Sequence, residues 1–127
     1  MLREFHRPRL WLGVWIAAIV AVIVLSLIPP PPMPVPQGTD KVEHFLAYAV
    51  LSAYAAMLFV RRRTQAIVAV GLVGLGVGLE VAQATLTDSR MADSADALAN
   101  TMGVLAGLFT AATPMAGWLQ RVDRRLA

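Results

Sequence analysis

The sequence predicts an all-α fold: an integral membrane four-helix bundle, one domain over 1–127, with both termini cytoplasmic. Three observations predict it. The chain is 57% hydrophobic and only 15% charged, where soluble domains run at about 25% charged. Four apolar runs, 10–28, 44–60, 66–86 and 97–119, can each cross most or all of a hydrocarbon core about 30 Å thick. Nine of the eleven basic residues lie in segments that alternate crossing puts on one side of the membrane.

The first run follows Arg3, Arg7 and Arg9, as a signal peptide would. It is longer than the usual apolar stretch of about 7–15 residues and ends in prolines without a small-residue cleavage site, so an uncleaved anchor is expected. Helices are expected over about 10–28, 41–60, 66–86 and 93–119. The segment 29–39 holds six of the eight prolines. Extended at about 3.1 Å per residue, it forms an outer strap long enough to hold helix 1 apart from helix 2. The short segments 61–65 and 87–92 make their flanking helices antiparallel neighbours. Gly74 with Gly78, and Gly103 with Gly107, form two GxxxG pairs that suit close helix packing.

Charge sets the orientation. Arg3, Arg7, Arg9, Arg61, Arg62, Arg63, Arg121, Arg124 and Arg125 fall on one side, and only Lys41 and Arg90 on the other. The positive-inside rule makes the first side cytoplasmic and the chain a multi-pass protein of a bacterial inner membrane. Topology and lipid headgroups account for the net charge of +3, so no nucleic-acid partner is expected. The absence of cysteine excludes disulfides, thiol catalysis and thiolate metal sites.

The acids collect on the outer side: Asp40, Glu43, Asp88, Asp93 and Asp96, with Glu80 inside the third run. Asp40 with Glu43, and Asp93 with Asp96, have the spacing of helix-capping boxes. Helical periodicity also aligns three polar stripes: Lys41, His44, Tyr48 and Ser52; Gly76, Glu80 and Gln83; and Asp93, Asp96, Asn100, Gly103 and Gly107. Their polar ends share one depth. An ionised Glu80 within a span costs about 2.5–3.5 kcal/mol on insertion scales, so it needs a partner, a proton or water. Gln83, His44 and Arg90 are within reach of that role.

His44, Glu80, Asp93 and Asp96 are therefore candidate catalytic groups, and Lys41, Tyr48, Gln83, Arg90 and Asn100 candidate ligand-binding groups. His44 suits general-base work with a carboxylate beside it. Lys41 and Arg90 suit an anionic headgroup. Tyr48, Ser52 and Asn100 also suit plain interhelical packing and hydrogen bonding. One histidine with Glu80, Asp93 and Asp96 could hold a divalent ion, yet no metal motif occurs; no resident metal and no cofactor are expected. Nucleophile-elbow, P-loop and dinucleotide fingerprints are absent too.

These residues resemble a known family. Asp40-Lys41-Val42-Glu43-His44-Phe45-Leu46-Ala47-Tyr48 looks like the DKxxHFxxY opening of VanZ-like membrane proteins. Glu80-Val81-Ala82-Gln83 is similar to their ExxQ, and 90–103, from Arg90 to Gly103, to their RxxDxxDxxxNxxG. The likeness covers about 40–108; helix 1 and the proline strap lie outside it. It implies a small polytopic protein of the bacterial envelope, in a family linked to low-level teicoplanin resistance and without an established reaction.

Two functions compete. In the first, an outer-facing polar site binds or acts on an amphiphilic envelope component, with membrane lipid and a lipid-linked precursor or lipoglycopeptide as partners. In the second, the protein is a non-catalytic accessory or shield whose polar cluster is a structural network. A transporter is a weaker third, because four helices without an internal repeat make a poor pore.

Overall fold

The computed structural model describes residues 1–29, 32, 34–88 and 93–127. It is all-helical among them, with no strand beyond an isolated bridge between Leu2 and Phe59. The long helices are α1 (Pro8–Leu27), α2 (Thr39–Leu58), α3 (Arg62–Leu86) and α4 (Ser94–Leu108). Two 3-10 turns, Phe109–Ala112 and Pro114–Gly117, lead into a short α5 (Trp118–Leu126).

Local chemistry sets most boundaries. Pro8 opens α1, where its fixed φ fits and its missing N–H is not needed. Ile28 is extended, as a residue before proline prefers. Gly38 precedes α2 at φ 82, a conformation that suits glycine. That entry overturns the expected Asp40–Glu43 box: the helix begins before Asp40, which sits exposed in the first turn and favours the helix dipole there. Asp93 does cap α4, its side chain accepting from Ala95 N–H. Helix 4 was expected to run to 119. It leaves the α-conformation after Leu108 and breaks at Thr113, which is extended ahead of Pro114.

Among the described residues three helices, not the four expected, are long and apolar enough to cross a membrane: α1, α3, and α4 continued through its first 3-10 turn to Ala112; α2, which opens with Asp40, Lys41 and Glu43, is not among them. Their outward faces stay apolar, with Val14, Val20, Val24, Ile67, Val70, Val77, Leu98, Met102, Leu105 and Phe109 all exposed. Polar side chains share the interior with the apolar core. Ser52, Gln65, Glu80, Gln83, Asn100 and Asp123 are buried. In lipid an apolar residue gains little by turning inward, so close packing and interhelical hydrogen bonds select the inside.

The closest pair is α2 with α4, which run parallel: Lys41 meets Asp96, His44 meets Asn100 and Phe45 meets Gly103. Gly103 and Gly107 make this approach possible. A Cβ on either would collide with the backbone oxygen of Phe45 or Ala49. Ser52 Oγ then donates to Val104 O at 2.7 Å across the seam. The other glycine pair behaves differently. Gly74 and Gly78 are exposed, with no described atom within 4 Å of where a Cβ would sit. The glycine of α3 that matters for packing is Gly76, pressed against Asn100.

Helix 1 does not stand apart, despite the length of the strap. Trp15 Nε1 donates to Leu51 O at 3.0 Å, and its ring meets Phe59 edge-on. Ala18, Ile19 and Val22 pack on the core formed by Tyr48, Leu51, Ala69, Leu72 and Val104. One seam of α1 packs on the other helices while the rest of its surface stays open.

Candidate functional site at the polar end of the molecule

The polar stripes turn inward at one end of the molecule. Tyr48, Ser52, Gly76, Glu80, Gln83, Asn100, Gly103 and Gly107 are all buried there or just beneath it. Helices α2 and α4 enter at this end and α3 leaves it, so three different helices deliver their polar groups to one place.

His44 lies at the centre. Its Nδ1 is 2.9 Å from Asn100 Oδ1. With that oxygen as acceptor, Nδ1 carries the proton and Nε2 presents a lone pair. Nε2 is 4.0 Å from Asp96 Oδ2, too far for a direct hydrogen bond. Asn100 can fill this position because Gly76 opposite it has no side chain. Glu80 is 5% exposed, and its Oε2 accepts the backbone N–H of Asp93 at 3.1 Å. One nitrogen of His44 and one carboxylate oxygen each from Glu80 and Asp96 all lie within 4.8 Å of one another.

Lys41 sits on the rim, ahead of the apolar part of α2. Its Nζ is 3.2 Å from Asp93 Oδ2, 3.4 Å from Asp96 Oδ1 and 3.6 Å from Asp40 Oδ2. Donation to Asp93 raises its pKa above the usual value, against the cost of desolvation and with help from the Asp96, Asp40 and Asp93 charges. Asp93 is held below the usual carboxylate value, first by the Ala95 N–H and then by Lys41. Three carboxylates thus share one ammonium, so Lys41 is already compensated and is a poor anion trap as it stands.

Beside His44 a gap of about 200 Å³ opens between α1 and α2, bounded by Val22, Leu25, Ser26, Glu43, His44, Ala47 and Tyr48. One wall is aliphatic and the other polar.

The candidates therefore separate. His44, Glu80, Asp93, Asp96, Asn100 and Lys41 converge. Tyr48 lies beneath them, shared between the gap and the core. Gln83 is occupied elsewhere: its Nε2 donates to Ser26 O at 2.7 Å and ties α3 to α1. Arg90 lies outside the described residues. Sequence reasoning missed the part played by α1, whose Val22, Leu25 and Ser26 complete the gap. Ser26, the lone hydroxyl of α1 and the one break in its apolar run after Arg9, was the available signal.

Comparison of the chain with protein-family models, with curated proteins and with solved structures finds no match.

Proposed function

We propose that this chain is a VanZ-like, multi-pass protein of a bacterial inner membrane that binds or acts on an amphiphilic envelope component at its polar end. In this reading α1 to α4 all cross the membrane, both termini are cytoplasmic, and the His44 end opens at the outer leaflet. The nine-to-two division of basic residues supports the orientation.

The observation that carries the reading is the gap between α1 and α2. It joins an aliphatic wall (Val22, Leu25, Ala47) to His44, Glu43 and Ser26. A bilayer amphiphile presents the same two chemistries at the same depth, and could enter sideways between the two helices. His44 Nε2, backed by Asn100, would face the headgroup as general base or ligand. Lipid-linked precursors and lipoglycopeptides, the class tied to teicoplanin resistance, have this amphiphilic build.

The test uses purified protein in nanodiscs with a panel of envelope lipids and precursors, reading both turnover and thermal stabilisation. One ligand class should stabilise the wild type and fail to stabilise Ala47→Phe, which fills the gap. Equal responses of the two proteins to every amphiphile would sink the reading. The alternative is a non-catalytic accessory or shield, favoured by the bonds Lys41–Asp96, His44–Asn100 and Asp93–Glu80, which join three helices as a register-fixing network would. That reading expects Glu80→Gln to complement a deletion fully.

A further inference from the structure

The polar end gathers more negative charge than its described cations balance. Asp40, Asp93 and Asp96 already share Lys41, whose side chain is 41% exposed. Glu80 is nearly fully buried and has no cationic side chain bonded to it among the described residues. A buried carboxylate beside another carboxylate needs further hydrogen-bond donors or a further positive charge.

The geometry around His44 points to the second solution. Each of the three groups is held from behind by a different neighbour. Asn100 takes His44 Nδ1, Lys41 takes Asp96 Oδ1, and the Asp93 N–H takes Glu80 Oε2. His44 Nε2 and Asp96 Oδ2 face one another without bonding, 4.0 Å apart. Two donors on one tetrahedral ion, each at about 2.0–2.2 Å, lie roughly 3.3–3.6 Å apart, so binding an ion would draw this pair together by about half an ångström. Outer-shell bonds that fix a histidine tautomer and orient a carboxylate commonly accompany metal ligands.

We propose that the imidazole of His44 and the carboxylates of Glu80 and Asp96 form a binding site for one divalent transition-metal ion, with Asn100 and Lys41 as positioning residues. An imidazole nitrogen with two carboxylate oxygens suits zinc or manganese better than a hard-oxygen ion such as calcium. A small inward shift brings all three donors, now within 4.8 Å of one another, to bonding distance. The proposal reverses the expectation of no resident metal. It deepens the amphiphile-site reading, because His44 also borders the gap between α1 and α2, and an ion held by it would offer a positive charge to a phosphate-bearing headgroup there.

The test needs no amphiphile. Chelator-stripped protein in phosphatidylcholine nanodiscs is titrated with Zn²⁺ and Mn²⁺ by calorimetry, and with Co²⁺ as a spectroscopic substitute. One ion should bind per chain, more weakly as pH falls, because the ligands must lose protons. Glu80→Gln and Asp96→Asn should weaken binding by about 100-fold or more, and Asn100→Ala by about 10–100-fold, as outer-shell changes do. Circular dichroism identifies the variants that fold, and His44→Gln supplies a further ligand variant. No saturable binding to the wild type, or equal binding to the folded variants, overturns the site. Amphiphile stabilisation of stripped protein would leave the functional reading standing without the metal. Metal binding with no amphiphile response would do the reverse.

Discussion

Each end of the molecule buries a carboxylate, and the two are held differently. At the basic end Asp123 is fully buried. It accepts from Trp11 Nε1 at 2.8 Å and from the backbone N–H of His6, and the Arg7 N–H adds to the set. Burial pushes its pKa up, but these donors outweigh burial and hold it below the usual value. At the polar end Glu80 is bonded by one described donor, the Asp93 N–H, and lies close to a second carboxylate and an imidazole. The saturated carboxylate is a clamp: it fastens α5 to the chain around α1, while Arg3 N–H bonds Leu58 O and Gln65 Nε2 bonds Phe59 O nearby. The less satisfied one retains capacity for a ligand. Volume alone does not make this distinction, since a cavity of about 250 Å³ also exists at the basic end, lined by Glu4, Phe5, His6, Gln120 and Arg124.

The largest expected effect comes from the seam on which the polar end depends. Gly103→Leu or Gly107→Leu drives a side chain into the α2 backbone and should cost about 3 kcal/mol or more, at the upper end for overpacking. Folded yield should fall sharply, and the site should be lost with it. Gly74→Leu serves as the control. That position faces open space, so yield and melting temperature should stay near wild type. A normal melting temperature for Gly103→Leu would break the account of α2 and α4.

Next come the two carboxylates, compared directly. Asp123→Ala orphans the Trp11 indole and the backbone donors in a buried place, so thermal stability should drop markedly. Because its pKa is lowered, the Asp123 contribution is present above 3.8 and is lost as pH falls through the folded value. Ligand affinity per folded molecule should be unchanged. Glu80→Gln should do the opposite. It removes a charge that is costly to bury, so stability should hold or rise, while ligand binding and complementation fail. Thermal melts beside deletion complementation measure both. A stable Glu80→Gln protein with full complementation would make the polar end a second clamp.

Much of this contrast was legible in the sequence at the polar end and little of it at the basic end. His44, Glu80, Asp96 and Asn100 stood out because polar side chains at helical spacing within apolar runs have few places to go. The inward glycines of α4 shared their stripe and were placed with them. Three things were not legible. Asp123 lies in a short, charged, terminal segment where a carboxylate usually meets solvent; only the fold brings Trp11 to it. Two GxxxG pairs looked equivalent, and spacing alone does not say which faces a neighbouring helix. The strap's length set an upper bound on the separation of α1 from α2, and the Trp15 and Gln83 bonds set the actual one.

The smallest expected effect is at the rim, where the Lys41–Asp93 pair separates an electrostatic edge from the buried site. Lys41 has a raised pKa, so its stabilising contribution is complete below its ordinary 10.5 and disappears as pH climbs through the folded value. Asp93 has a lowered pKa, so its contribution is complete above its ordinary 3.8 and disappears as pH falls through the folded value. The melting-temperature difference between wild type and Lys41→Met should therefore be small and flat between those limits, and should shrink beyond either. Both side chains are more than two-fifths exposed, so added salt should reduce it as well. Lys41→Met also leaves Asp96 Oδ1 without its ammonium and removes a positive charge beside the proposed ion, so metal affinity should hold or rise even where stability hardly changes. A difference that instead develops between about pH 5 and 8 would show that the rim pair is not what titrates at this end.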